Sequence, residues 1–307
     1  MQIQFKNSHT RLENVVYNLP GFPVYIRKGS LSAYHDFQAL SHWHEDLEWI
    51  YVETGQMQYN VNGEILTLRQ GEGLFVNSKQ LHFGYGNGAG DCTFLCVLFH
   101  PALLCSSACV EQRFVQPVLE NGAMPCQVLR PGVELEDDIL DLLRQLWDSW
   151  CGPVFPLQAQ SLIFQLWTRL FALSRLPARE AHRPESQHLT LLKSMIRFIC
   201  RHYPEHVTLA RISQAGHVGK TTCCAIFQKY TGETPVSYLT SYRLKKAAEL
   251  LEGTDQPITD ICMAVGFGSP SHFASLFRRA YRCTPREYRA RAREIPPDGC
   301  KNRPQQV

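Results

Sequence analysis

No apolar run in the 307-residue chain approaches the about 18 residues that a membrane-spanning helix requires. The opening residues, MQIQFKNSHT, lack the apolar stretch of a secretion signal. These absences predict a soluble, cytoplasmic protein with no membrane partner. None of the twelve cysteines forms a Cys-x-x-Cys pair, which removes the usual structural-zinc and dithiol signatures. The nearest metal or redox candidates, Cys92/Cys96 and Cys105/Cys109, have no partner pair. Reduced thiols acting as small buried hydrophobes are expected instead. Charged residues are few, at 19%, but hydrophobic residues reach 44%, a balance that excludes a wholly disordered chain. The length suits two domains.

The net charge of +3 conceals an asymmetry. Residues 1–187 carry 13 Lys/Arg against 19 Asp/Glu, whereas residues 188–307 carry 18 against 9, so an acidic part of −6 precedes a basic part of +9. A basic half of this kind points to a nucleic-acid partner. Between residues 12 and 100 the chain reads as short β-rich runs: VYI, LEWIYVETG, MQYNVNGEILTL, GLFV and CTFLCVLF. Within VNGE, the Asn-Gly pair supplies the positive φ angles of a tight hairpin. Many short strands predict a small sandwich or barrel. From residue 133 the period changes: Leu135, Ile139, Leu142, Leu143, Leu146, Trp147 and Trp150 recur at helical spacing. A second helix is expected over 157–173, carrying Leu162, Ile163, Leu166, Trp167, Leu170 and Phe171. This pair is expected both to cap the barrel and to meet its copy in a homodimer. The polar, proline-bearing stretch 176–187 reads as a linker, and residues 295–307 as a disordered tail.

Residues 188–294 contain a repeat with a period of 50: Ile226/Leu276, Phe227/Phe277, Lys229/Arg279, Thr234/Thr284, Pro235/Pro285 and Tyr238/Tyr288. Each copy ends a helix before a Thr-Pro that starts the next, since proline is tolerated in a first helical turn. Upstream lie TLARISQAGHVG and ITDICMAVGFGS, each with the helix-turn-helix form. Ser213 and Cys262 are small residues where two helices cross. Four residues later His217 and Gly266 occupy the turn, where glycine suits a left-handed conformation and histidine is a departure. The following helices, 220–230 and 270–281, are the expected recognition helices. Cys223, Ile226 and Phe227 in one, and Phe273, Leu276 and Phe277 in the other, fall on the inward face.

These segments, with the Gly-Phe and Phe-Arg-Arg-x-Tyr of the second unit and Tyr238, Tyr242, Arg243 and Leu244 of the linking helix, resemble the AraC/XylS family of bacterial transcription regulators over about 100 residues. The resemblance implies two recognition helices placed in successive major grooves of double-stranded DNA, about 34 Å apart. It maps base-facing positions onto Thr221, Cys224 and Ala225 and onto Pro270, Ser271, Ala274 and Ser275. These side chains are short, so readout is expected from hydroxyls, methyl contacts to thymine, and Lys220 or Gln228 at the margins. Lys229, Arg243, Lys245, Arg278, Arg279 and Arg282 are the expected phosphate contacts. RNA polymerase is a further partner that the resemblance implies.

Residues 41–85 resemble a cupin barrel of the kind many members of this family carry as a sensor: His42-x-His44, then Glu48, Gly55, and His82 after GEGLFVN. In cupin enzymes those four side chains can bind a divalent metal. Residues 42, 44, 46 and 48 share one face if they lie on one strand, so Asp46 is also expected to point inward. VNSKQLH replaces the usual Pro-x-Gly turn. The resemblance to family sensors implies instead a small polar effector, a sugar or derivative, held by His42, His44, Glu48 and His82, with Trp43 or Tyr51 available to stack on it if either turns inward. A metal at the same four residues and a purely structural core are the alternatives, and no cofactor is expected.

The expected fold class is thus α+β in two domains: a cupin-like barrel with a helical dimerisation arm over 1–175, and an all-α double helix-turn-helix over 188–294. Three functions compete. A ligand-responsive regulator that is not an enzyme combines sensor, coupler and output, and is preferred. A metal-dependent cupin enzyme with an appended DNA-binding module would show turnover, and a constitutive DNA binder would ignore small molecules.

Overall fold

Alternating burial builds the first domain. The computed structural model describes residues 15–34, 37–88, 90–176 and 187–294, apart from Val16. Its strands are β1 (Val24–Ser30), β2 (Leu47–Thr54), β3 (Gln56–Val61), β4 (Glu64–Arg69), β5 (Gly73–Val76), β6 (His82–Tyr85), β7 (Thr93–Phe99) and β8 (Cys126–Leu129). They form a five-stranded sheet in the order β1-β7-β2-β5-β8 and a three-stranded sheet in the order β4-β3-β6. The Asn-Gly hairpin is as expected, with φ of 54° at Asn62 and 88° at Gly63, and it sets Val61 opposite Glu64. β6 and β8 were not foreseen. Each has only four residues, too few for alternation to register.

Along β2, side chains alternate between two cores. Leu47 and Trp49 join Phe75, Val97 and Phe99 on the outer face, while Ile50 and Val52 join Met57, Tyr59 and Leu68 between the sheets. After β7, two short helical turns, α1 (Ala108–Val110) and α2 (Gln116–Leu119), lead to β8 and then to α3 (Glu134–Ser149) and α4 (Phe155–Ser174). Glu134, Glu136 and Asp137 in the first turn of α3 suit the positive end of its dipole. Ile139, Leu143 and Leu146 of α3 and Ile163, Leu166 and Leu170 of α4 are buried in the outer core with Trp49 and Phe75. The apolar stripe expected to be shared between capping and a second copy is thus covered by the chain's own sheet. Val154 and Leu157, at 51% and 76% exposure, remain outside it.

The second domain opens with α5 (Gln187–His202), a helix not singled out from sequence, which buries Leu189, Leu192, Met195, Ile196 and Ile199 at three- and four-residue spacing. Two helix-turn-helix units follow, α6 (Leu209–Ala215) with α7 (Lys220–Thr231), and α9 (Ile258–Ala264) with α10 (Pro270–Tyr281), joined by α8 (Pro235–Gly253) and closed by α11 (Pro285–Glu294). Ser213 and Cys262 are buried at the helix crossings. His217 adopts φ 52°, the same left-handed region as Gly266 at 88°, so the histidine keeps the turn geometry rather than changing it. Both Thr-Pro pairs start helices. Thr234 Oγ1 accepts from Ser237 N at 3.2 Å, and Thr284 forms a reciprocal capping box with Glu287 at 3.2 and 2.8 Å. The inward residues Cys223, Ile226, Phe227, Phe273 and Phe277 are buried, and Leu276 is half-buried.

The two domains share a core. Trp43 and Leu81 of the barrel are buried with Leu192, Phe227, Tyr230 and Tyr238 of the first helical unit. Tyr238 also donates its hydroxyl proton to the Ser41 carbonyl at 2.6 Å. Of the expected linker, Gln187 already belongs to α5. Residues 177–186, and the tail 295–307, lie outside the described residues. No helix among the described residues is long and apolar enough to cross a membrane.

Candidate functional site

His42, His44, Glu48 and His82 are brought together as expected, each offering one ligand atom within 4.8 Å of the others. The route differs from a single strand. His42 and His82 pair across an isolated bridge, exchanging backbone hydrogen bonds of 3.1 and 2.9 Å. The chain bends at residues 45 and 46, and β2 then begins in time to aim Glu48 at the same point. The bend turns Asp46 away, and its carboxylate accepts from the Tyr17 hydroxyl at 2.7 Å instead of joining the cluster.

The three imidazoles are oriented alike. Nδ1 of His42 lies 2.8 Å from Leu40 O, that of His44 3.0 Å from Asp46 O, and that of His82 2.9 Å from Gln80 O. A backbone carbonyl only accepts, so each Nδ1 carries a proton and donates it. Nε2 of His44 and of His82 lie 3.2 and 3.1 Å from Glu48 Oε2, and the Tyr59 hydroxyl donates to Oε1. Burial alone would push the Glu48 carboxyl up. The His82 charge, with the hydrogen bonds from His44 and His82, outweighs it and holds the group well below the usual carboxylate range. Burial, reinforced by the Glu48 charge, pushes the Tyr59 phenol well up.

The cluster borders a cavity of about 1100 Å³ that runs from His42, His44, Glu48 and Tyr59, past Arg27 and Tyr34, to Glu233 and to Ser237, Ser241 and Lys245 of α8. Sequence reasoning found neither Tyr59 nor the α8 wall. Nothing in local spacing marks them, because Tyr59, on the three-stranded sheet, reaches Glu48 of the five-stranded sheet only where the two sheets face each other, and α8 reaches the site only through domain docking. The aromatic residues expected to stack on a ligand point elsewhere. Trp43 is buried against the helical domain, and Tyr51 packs toward the outer core with Arg144 over its ring at 5.7 Å. Among the described residues the four-residue cluster is the one such grouping of His, Cys, Asp or Glu ligands, and their cysteines are unbridged.

On the helical domain, α7 and α10 present their polar sides to solvent. Lys220, Thr221, Ala225, Gln228 and Lys229 are exposed on α7, and Pro270, Ser271, Ser275, Arg278 and Arg279 on α10, with Cys224 and Ala274 half-buried. Arg282 caps α10 in a left-handed conformation, and Gln228 donates to Gly232 O at 3.1 Å. Thr222 and His272 are exposed on the same helices and were not singled out. Two expected phosphate contacts have other positions. Arg243 donates to Tyr203 O and Glu205 O at 2.8 and 2.7 Å and lies 5.9 Å from the Phe267 ring, tying α5 to the second unit. Lys245 borders the cavity; Arg279 also borders it but stays exposed to solvent.

Comparison with known proteins matches residues 31–167 to an AraC-like ligand binding domain and residues 212–291 to a helix-turn-helix domain. The chain is 27% identical over 251 residues to the uncharacterized HTH-type transcriptional regulator YdeC of Bacillus subtilis, covering 81% of this chain and 85% of that one. It is 26% identical over 257 residues to the HTH-type transcriptional activator RhaS of Salmonella arizonae, covering 83% and 89%. Among solved structures, ToxT from Vibrio cholerae aligns with 8% identity and a TM-score of 0.46, over 89% of this chain and 99% of that one.

Proposed function

Since the chain belongs to the AraC/XylS family of helix-turn-helix transcription regulators, we propose that it is a homodimeric activator whose barrel binds a small polar effector and whose α7 and α10 read a promoter. It is not an enzyme. The observation that carries the proposal is the cavity, whose walls come from the barrel cluster on one side and from the helix linking the two DNA-reading units on the other. An effector filling it touches both domains at once. A sugar or sugar derivative suits the lining, since Tyr25, Tyr34, Ser237, Thr240 and Ser241 can exchange hydrogen bonds with hydroxyl groups. Short side chains at Thr221, Ala225, Ser271 and Ser275 support readout by hydroxyl and methyl contacts, while Lys229, Arg278 and Arg279 supply phosphate affinity. RNA polymerase and a second copy of the chain are the proposed protein partners.

The test is selection of duplexes from random or genomic DNA on the purified full chain, followed by anisotropy at rising salt. A selected sequence should emerge, with affinity falling linearly in log salt as phosphate counterions are released. A thermal-shift screen of sugars and related polyols should then find a compound that changes operator affinity. Failure to enrich any sequence would sink the DNA-reading assignment. A monomer at tens of micromolar in light scattering, with and without duplex, would sink the dimer.

A further inference from the structure

We infer that the effector carries a protonated amine, as an amino sugar or similar amino polyol does, and that the Glu233 carboxylate at the helical end of the cavity receives it. This rests on the cavity being the effector site, as proposed above, and specifies which polar molecule it takes.

Four carboxylates line the cavity, and three of them are already compensated. Glu48 is held by His44, His82 and the Tyr59 hydroxyl. Glu249 accepts from Lys246 Nζ at 2.7 Å. Glu252 accepts from the Tyr288 hydroxyl at 2.6 Å, and its charge is felt by the Arg27 guanidinium of β1. Glu233 differs. Its carboxylate accepts from the Ser241 hydroxyl at 3.3 Å and is bonded by Ser237, and no Lys, Arg or His among the described residues pairs with it. Burial pushes this carboxyl up, and the two hydroxyls offset only part of that. A hydroxyl stabilises an anion less than an ammonium does, so the half-buried carboxylate keeps an unmet demand for positive charge. A primary ammonium has three donors, one for the carboxylate and two for the oxygens of Ser237 and Ser241.

The cations of the cavity make no matching demand for an anion. Arg27 is bonded to Tyr25 and feels Glu252, Lys245 is likewise engaged, and Arg279 stays exposed to solvent. Ser237, Thr240 and Ser241 line the wall that α8 contributes, and Leu244 and Ala248, farther along the same helix, add an apolar surface. A polyol with one amine matches that succession of charge, hydroxyl and carbon.

Position connects the site to DNA binding. Glu233 is the single residue between Gly232, which ends α7 in a left-handed conformation at φ 71°, and Thr234, which caps α8. An ammonium held there, with the rest of the molecule bonded to the barrel, ties the barrel to the joint between the first recognition helix and the linking helix. Occupancy changes DNA binding to the extent that it favours one docked arrangement over another.

The test uses the full chain in a near-neutral buffer free of amines, with two sets of probes that share a ring and differ in charge: glucosamine, glucose and glucuronate, then galactosamine, galactose and galacturonate. Titrated by melting shift, an amino sugar should bind about tenfold or more tighter than its neutral parent, as a charge-assisted bond exceeds a neutral one. Glu233→Gln keeps the shape and removes a half-buried charge, so it should fold and erase that preference. Glu249→Gln, whose native carboxylate already has Lys246, should retain it. Operator affinity should change by about fivefold or more when the amine is bound. Tighter binding of the acid sugars than of the amines would overturn the inference, as would an amine preference that survives in Glu233→Gln. Silence from both amino sugars and from ethanolamine and serinol would sink it equally. A Glu233-dependent response to the two amino alcohols alone would support the amine site and remove the sugar from the reading above. Amine binding with unchanged operator affinity would refute the coupling through the joint. A chain that binds the amine but no duplex in any form would defeat the regulator assignment and leave the amine site standing.

Discussion

Replacing Gly266 with alanine separates two constraints on the second helix-turn-helix unit. At φ 88° an L-residue is strained by about 1–2 kcal/mol. A Cβ there would also stand 2.6 Å from Tyr203 O, 2.8 Å from Pro204 O and 3.0 Å from Arg243 Nη2. Two of these atoms are main-chain carbonyl oxygens just beyond the end of α5, and Arg243 itself is bonded to Tyr203 O and Glu205 O. They cannot rotate aside as the tip of a side chain can, so the segment must move, which costs about 1–3 kcal/mol in overpacked sites. Restricting the unfolded chain offsets about 0.4–1 kcal/mol. The expected net loss is about 2–4 kcal/mol. Gly232 is the control, with φ 71° and no atom within 4 Å of a built Cβ, so its alanine variant should lose no more than about 1.5 kcal/mol. At about 4–8 °C per kcal/mol for a domain of this size, Gly266→Ala should lower the helical domain's melting transition by about 8–30 °C. Calorimetry of the full chain, with operator binding to identify the transition, makes the comparison. Equal melting of the two variants would refute the claim that the end of α5 holds the turn closed.

Three further outcomes follow from the same structure. His217→Gly relieves a left-handed residue at φ 52° and should stabilise by about 0.5 kcal/mol after the glycine entropy term, read as a higher urea midpoint; a lower midpoint would show that the imidazole contributes contacts of its own. Phe277→Ala removes a fully buried ring that sits 5.6, 4.5 and 5.4 Å from Phe273, Tyr281 and Tyr288, so it should cost about 3–5 kcal/mol while Ser271→Ala leaves melting unchanged; wild-type melting in the Phe277 variant would place the inward face wrongly. Burial raises the Glu233 carboxyl above its ordinary value, so the folded chain keeps that proton to higher pH than the unfolded chain, and a stability penalty grows as pH rises from the unfolded value to the folded one. Glu233→Gln should therefore raise melting at neutral pH and leave it unchanged below the carboxylate range, and a pH-independent difference would contradict this assignment.

The helical domain was largely legible in the sequence. Its turns rest on residues within a few positions of one another, and its recognition helices expose and bury side chains at a fixed spacing. The period of 50 placed both units in register before any contact was known. Arg243 shows the limit. A basic residue on a linking helix looks like a phosphate contact until the carbonyls of Tyr203 and Glu205, about 40 residues earlier, are found beside its guanidinium. In the barrel, the four residues expected to converge do so, whereas Asp46 and Trp43 turn away from them. Even spacing implies a common face only on an unbroken strand, and this chain bends between His44 and Glu48.

By itself, then, the sequence determined two domains, their charge, the hairpin at Asn62, the paired helix-turn-helix units and the identity of the four cluster residues. Each depends on local backbone preference or on a period that neighbouring residues carry. Tertiary structure alone decided that α3 and α4 spend their apolar stripe on their own sheet, that Tyr59 supports Glu48, and that α8 walls the cavity. It also decided that Trp43 faces a DNA-binding unit while the histidines on either side face the cluster. Those outcomes depend on partners far apart in the chain, 34 residues from Glu48 to His82 and 197 from Ser41 to Tyr238, and no local pattern specifies which distant surface an apolar or polar face will meet.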